Sequence, residues 1–484
     1  MMSKLLGTLG LVSALSFVGT QTLAETHKKN PSLASLVKVN DSSLQFEGLT
    51  IEGVAKLKEV RDSLRRRFRI FDNRFLNLGT VHHAATLARL YKGNMFLYGP
   101  PGSGKSALVK WILKGEKDPA FQMQLHQMIT EQAFTGGQNF EKAKLGQFEI
   151  NTKGSLADYA VALLDEAEKG NPAALSSLLS LLEEREIMAG NTIVKAKTET
   201  IFATSNANLP EIFDQFTLNG LGTTAPAFLN RFIFKVFAYN WLDDAQRQEL
   251  LGREKERQRL TALASVHEKA QKNEVFLDAE AIDWDALRFL STMLVKTNKL
   301  FDLSYNELLG KMREVTHDAI ESSERNVKDR KEAFVYFPSC DYNTRNLLRI
   351  PSVIQLSAFV DFLLSDAADD LNIVSQKPIE LGVLSLWRAY LVMTTIGPGT
   401  TKLTLNAEGT SYDVDFGWNI DASKARDERE RGLIRNLVEE QKRFRDVLQA
   451  KFAELQKHIK LASGSSIGVS HSVDDDFEHL IMKK

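Results

Sequence analysis

A single cysteine, Cys340, among 484 residues excludes an intrachain disulfide framework and a cysteine-built zinc site. A buried small apolar side chain is its ordinary role, and it fits a reducing compartment without requiring one. An excess of one charge is missing too: 61 Lys and Arg against 62 Asp and Glu leave a formal net charge of -1. Nothing global therefore draws the chain to nucleic acid or to an anionic membrane. Long hydrophobic runs are scarce. The stretch from Leu5 to Val18 is too short, and too interrupted by Gly and Ser, to read as a membrane span. It falls within Met1–Ala24, where Lys4, the apolar stretch and Thr22-Leu23-Ala24 ahead of Glu25 have the layout of a secretory signal. Export, membrane association through residues 5–24 and an inert leader are the readings this leaves open. Lys4 before the stretch and Lys28 and Lys29 after it are too balanced to orient it.

What is present is an ordinary globular composition, 43% hydrophobic and 25% charged, over a length sufficient for two or three domains. Residues 25–45 read as polar linker. Val54, Leu57, Val60, Leu64 and Phe68 then fall at helical spacing, which puts Arg65, Arg66, Arg67 and Arg69 at the end of an amphipathic helix. Such a cluster either binds phosphate or nucleic acid, or complements a helix dipole at a solvated end.

The segment Gly99-Pro100-Pro101-Gly102-Ser103-Gly104-Lys105-Ser106 follows the apolar run Met95–Tyr98 and precedes Ala107, Leu108, Val109 and Trp111. Strand, glycine-rich loop and helix form the context in which G-x-x-x-x-G-K-[ST] cradles phosphates with backbone N–H groups. In that reading Lys105 reaches the β and γ phosphates of ATP, and Ser106 offers its hydroxyl to Mg²⁺. ATP is a cytoplasmic substrate, which favours a cytoplasmic or cytoplasm-facing protein over an exported one.

A second apolar run, Tyr159–Leu164, has the length of a strand buried on both faces and ends in Asp165-Glu166. Asp165 is assigned to the metal and Glu166 to polarising the attacking water. Asn171 and Pro172 supply an N-cap and a first-turn residue for a helix marked by Leu175, Leu178, Leu179 and Leu182. A hairpin is expected from Ile187 to Val194, turning at Ala189-Gly190-Asn191. A third strand, Thr200–Ser205, ends at Asn206, a candidate sensor of the γ-phosphate. Arg231 precedes a further apolar run.

Together these motifs resemble the AAA+ ATPases, and within them the MoxR group, most closely its RavA-like branch, over roughly residues 45–375. Phe121–Gly137 resembles the insert that this group carries in its second helix. Leu181-Leu182-Glu183-Glu184-Arg185 resembles the segment leading into the hairpin before sensor one, Thr204–Pro210 the sensor-one segment, and Asn230-Arg231-Phe232 the Asp-Arg-Phe whose arginine completes a neighbour's site. Asn230 departs from that pattern. Asn343-Thr344-Arg345 resembles the segment bearing the sensor-two arginine, assigned here to Arg345 with Arg349 as the alternative. Pro351 is expected to make that helix kink or restart.

The resemblance implies an α/β fold, an AAA+ P-loop αβα sandwich with a helical lid and a small accessory β-hairpin and helical region. The expected divisions are a leader and linker (1–44), the nucleotide-binding domain (45–244), the lid (245–375), an accessory region (376–462) and a disordered tail (463–484). Residues 303–332 read as an insertion, Thr401–Gly417 as a β-hairpin and Ala425–Leu461 as a long charged helix. The resemblance further implies a homo-oligomeric ring, a hexamer, working with a von Willebrand A-domain partner to remodel or assemble a protein client. A metal-chelatase-type motor subunit is the nearer alternative. A nucleic-acid motor finds little support in the neutral charge balance.

Overall fold

A computed structural model of the protein describes residues 33–40, 45–76, 78–99, 101–147, 149–189, 192–207, 224–238, 244–264, 278–296 and 344–369, with the short pieces 379–380, 402–405, 412–415 and 428. The leader, Pro100, Cys340, the 303–332 insertion, nearly all of the 425–461 helix and the tail lie outside the described residues.

A 3-10 turn (Ala34–Leu36) leads into β1 (Val37–Asn40) and β2 (Gln45–Leu49), which pair antiparallel. Part of the segment read as polar linker is thus ordered. It is held because Leu36 and Leu49 are buried and Leu36 seats its carbonyl on Gly53, where a Cβ would come within 1.9 Å of that oxygen. Helix α1 (Ile51–Arg74) starts at Thr50, whose side-chain oxygen accepts the N–H of Gly53 over 3.0 Å. It runs past the arginines because Ile70 and Phe71 extend the buried stripe of Leu57, Val60 and Leu64.

The rest of the αβα body follows in chain order as α2 (Gly79–Tyr91), β3 (Met95–Tyr98), α3 (Lys105–Lys114) and β4 (Phe121–Gln124). A small outlying group comprises α4 (Gln132–Thr135), β5 (Gly137–Gln138), α5 (Phe140–Lys144) and β6 (Ile150–Asn151). Next come β7 (Val161–Asp165), α6 (Pro172–Glu183), the antiparallel hairpin β8 (Glu186–Ala189) and β9 (Thr192–Lys195), β10 (Thr200–Ser205), α7 (Thr224–Leu229) and β11 (Phe234–Phe237). Helices α8 (Asp244–Ala264), α9 (Trp284–Leu294) and α10 (Thr344–Leu364) complete the described helices. The paired strands β12 (Val295–Lys296) and β13 (Ile379–Glu380), and the antiparallel β14 (Lys402–Leu405) and β15 (Tyr412–Asp415), complete the described strands. The last pair falls where the 401–417 hairpin was expected.

Five strands form one parallel sheet in the order β11-β3-β10-β7-β4. Strands reading MFLY, VALLD and TIFATS are buried on both faces, almost throughout, because helices cover both. On one side Leu97, Val161 and Phe202 pack with α1, α2, α3, α9 and α10; on the other Phe96, Leu164 and Ile201 pack with α6 and α7. The architecture is the expected α/β sandwich.

Three local expectations change. Phe121–Gln124 does not open an insert but is the edge strand β4, in register with β7 at Phe121↔Ala162, because Phe121 and Leu125 are buried. Pro351 does not restart its helix: α10 runs through it, and burial of Val353, Ile354, Phe359, Val360 and Leu363 offsets the lost hydrogen bond and ring clash, together about 3 kcal/mol. The arginine cluster lies within α1 rather than at its end, and its Arg65, with Arg61 a turn earlier, complements carbonyls at and just past the C-terminus of another helix. Arg65 Nε donates to Leu363 O over 2.9 Å and its Nη2 to Ser365 O, while Arg61 Nη1 donates to Ala368 O over 2.6 Å. Arg67, 1% exposed, sits between Trp111 and Trp284, 5.6 and 5.3 Å from their ring centres.

Candidate functional site

In a parallel sheet all strand carboxyl ends lie on one edge, and β10 lies between β3 and β7. Gly99, Asn206 and the Asp165–Glu166 pair are therefore neighbours despite their separation in sequence. Gly99 has φ +149, and a Cβ there would meet Ala238 O at 2.3 Å, so a side chain is excluded on two grounds. Gly104, at φ +85, turns the chain into α3.

Lys105 begins α3, and its ammonium donates to Gly99 O over 2.8 Å and to Ser103 Oγ over 3.2 Å. Burial lowers it to about 8, against the pull of the nearby Glu168 and Asp165 carboxylates. Ser106 Oγ donates to Asp165 Oδ1 over 2.9 Å, and Thr204 Oγ1 donates to the same oxygen. Ser106 and Asp165 form an all-oxygen donor set with Thr204 beside it, which suits a hard divalent cation such as Mg²⁺.

Glu166 is, among the described non-glycine residues at this edge, the one with strained backbone, φ 55 and ψ 51, a conformation uncommon outside glycine. Its carboxylate accepts from Gln124 Nε2 over 2.7 Å, from Asn206 Nδ2 over 3.2 Å, and pairs with Lys169 Nζ at 3.0 Å. Gln124 first, then Lys169, hold this carboxyl below the usual range, so Glu166 is ionised at neutral pH.

Of the residues singled out from sequence, Gly99, Gly102, Ser103, Gly104, Lys105, Ser106, Asp165, Glu166 and Asn206 share this edge, and Pro101 lies in the loop between them; Pro100 is outside the described residues. Arg231 is elsewhere. Its carbonyl accepts from Asn94, the residue before β3, so it lies at the strand amino ends, about 13 Å of strand from the loop that follows β3. There Arg231 Nε donates to Leu179 O over 2.9 Å and Nη1 to Ala227 O over 2.6 Å. Arg349 pairs with Glu183 at the end of α6, again away from the phosphate loop. Arg345 falls in the first turn of α10. Gln124, Glu168 and Lys169 were given no site role in the sequence, and Thr204 was read only as the start of the sensor-one segment. Thr204 carried a signal in its place near the end of β10, two residues before Asn206.

A cavity of about 990 Å³ opens beside Ala107, one residue past Ser106, between α1, α3 and α8. Ile70, Phe75, Leu250 and Arg253 line it, and Arg253 bridges α8 to the end of α1 by donating to Asp72 O over 2.8 Å and Asn73 O over 3.0 Å. No helix among the described residues is long and apolar enough to cross a membrane.

Residues 62–275 match the family model described as the MoxR domain in the MoxR-vWA-beta-propeller ternary systems. An uncharacterized protein of Methanocaldococcus jannaschii is 28% identical over 181 residues, covering 37% of this chain and 43% of the relative. A second from the same organism is 30% identical over 138 residues, covering 28% and 34%. The ATP-dependent Clp protease ATP-binding subunit ClpL of Staphylococcus aureus is 23% identical over 232 residues, covering 43% and 33%. The chain thus spans less than half the length of these relatives. The match and the sheet that carries the glycine-rich loop fall on the same segment, residues 62–275, which is thus similar to a MoxR-type AAA+ domain.

Proposed function

We propose that the protein is an ATPase that binds Mg²⁺ and ATP at the carboxyl edge of its sheet and hydrolyses the γ-phosphate. The observation that carries this reading is the convergence, at that edge, of the glycine loop with its buried lysine, the Ser106–Asp165 oxygen pair and an ionised Glu166 in contact with Asn206.

In this reading the backbone N–H groups of the loop and the amino end of α3 hold the phosphates, and Lys105 exchanges its contacts with Gly99 and Ser103 for the β and γ oxygens. The nucleoside occupies the cavity beside Ala107. Ser106 and Asp165 would hold Mg²⁺, which supplies charge neutralisation for the phosphates. Glu166 takes up the proton of the attacking water, and Asn206 fixes the orientation of that carboxylate. Arg231 lies too far from its own phosphate loop to serve it, which supports a role across an interface to the next subunit of a ring. The hexamer, the von Willebrand A-domain partner and the remodelled client follow from the MoxR resemblance, and the wording of the matched family model supports the partner. Arg345 is proposed as the sensor-two arginine, and its test is loss of nucleotide-dependent conformational change in Arg345→Ala.

Titration calorimetry with ATP and Mg²⁺, followed by mass measurement of the assembly, tests the reading. Binding with ring formation is expected, and absence of binding by the full chain contradicts it.

A further inference from the structure

Glu168 follows the Asp165–Glu166 pair on a 3-10 turn, Ala167–Lys169, and is 5% exposed. Its Oε1 accepts the backbone N–H of Asn206 over 3.2 Å, and its Oε2 has no hydrogen-bond partner among the described residues. A carboxylate buried with one oxygen unsatisfied is costly, and the nearest compensation is electrostatic. Its charge is the strongest attraction on the Lys105 ammonium, ahead of that of Asp165.

The left-handed conformation of Glu166 reverses the chain so that Glu166 and Glu168 approach Asn206 from two sides. One takes the side-chain amide and the other the backbone amide. Asn206 follows the last residue of β10, Ser205, whose hydroxyl accepts the N–H of Ala207 over 3.1 Å, while the Asn206 N–H and side-chain amide are taken by the two carboxylates. We propose that Glu168 is a positioning residue, which by accepting the N–H of Asn206 sets the Asn206 amide against Glu166 and thereby the geometry of water activation. This rests on the ATPase reading above, and assigns the buried carboxylate a part in turnover rather than in nucleotide binding.

The test is steady-state kinetics on the full chain with Glu168→Ala, Glu168→Gln, Asn206→Ala and the Glu168→Ala/Asn206→Ala double variant. Glu168→Ala is expected to lower kcat about tenfold while ATP affinity stays within about threefold. Glu168→Gln should recover most of that loss, because an amide oxygen accepts the same N–H. In the Asn206→Ala background the further loss from Glu168→Ala should fall below about twofold, since the side chain it positions is gone. Should Glu168→Ala fail to fold, Glu168→Asp, which draws the carboxylate back by one carbon, replaces it in the cycle. Losses that multiply independently, or a fall in ATP affinity matching the fall in kcat, overturn the inference while leaving the ATPase reading intact. A wild-type chain that binds no ATP overturns both.

Discussion

The hydroxyl of Ser106 and the carboxylate of Asp165 are joined across two neighbouring elements, α3 and β7, by a hydrogen bond of 2.9 Å. Both oxygens suit a hard cation, and neither is needed to hold the phosphates directly. Ser106→Ala should therefore raise the Mg²⁺ concentration for half-maximal ATP hydrolysis at least about fivefold, while ATP binding in the presence of a chelator stays unchanged. Activity measured across a magnesium titration checks this, and an unaltered titration curve contradicts it.

Lys105 is buried at the start of α3, donates to Gly99 O and Ser103 Oγ, and is drawn by the Glu168 and Asp165 carboxylates. Lys105→Ala removes a charge-assisted contact to phosphate that water cannot restore in a closed loop. ATP affinity should fall beyond detection by calorimetry, with the melting temperature little changed. Unaltered affinity would remove the loop from the binding site.

Much of this edge was legible in the sequence because the phosphate loop is local: its glycines, lysine and serine are contiguous, and the strand and helix on either side are marked by uninterrupted apolar runs. Asp165, Glu166 and Asn206 were legible for the same reason, each ending a run of buried residues. Gln124 and Glu168 were not, because their roles arise from strand order. Nothing in the sequence says that β4 pairs with β7, or that β10 lies beside β7, and those pairings bring Gln124 and Asn206 to Glu166. Phe121–Gln124, read as part of an insert, illustrates the same limit: two alternating apolar residues do not distinguish an edge strand from a loop. The arginines of α1 were read as a helix end because charge interrupts the pattern, yet Arg61 and Arg65 serve the carbonyls of a helix some 300 positions later.

Arg231 supplies the test of assembly. It lies at the amino ends of the strands, bound to Leu179 O and Ala227 O. Arg231→Ala and Glu166→Gln chains, each inactive alone, should regain part of the activity when mixed, because some interfaces then combine an intact Glu166 with an intact Arg231. An arginine acting across an interface contributes about a thousandfold or more in rate, so a minority of repaired interfaces suffices. Mixed rings that stay inactive, in a dilution series with wild-type subunits that shows no need for every site to be intact, would place Arg231 within its own chain's machinery.

Stability has its own signature at the opposite edge. Burial would raise the Glu199 carboxyl, but Lys92 and Arg89 more than reverse this and hold it at about 2. Arg89 Nη1 donates to it over 2.7 Å and Lys92 Nζ pairs with it at 2.7 Å. A depressed carboxyl stabilises the fold fully above its unfolded value of 4.5, and that stabilisation is lost as the pH falls from there toward 2. Glu199→Gln should cost about 2–3 kcal/mol at pH 7, and flatten the loss of stability across that acid window. Denaturant unfolding at a series of pH values reads both effects, and an unchanged acid limb would contradict the assignment.

The central claim is that Glu166 activates the water while other residues hold the nucleotide. ATP binding and steady-state turnover of Glu166→Gln, measured side by side with the wild-type chain, test it most directly, since the substitution keeps the shape and removes the base. The account predicts ATP affinity within about tenfold of wild type and turnover reduced at least about a hundredfold. Turnover that survives the substitution would contradict it and place the base elsewhere.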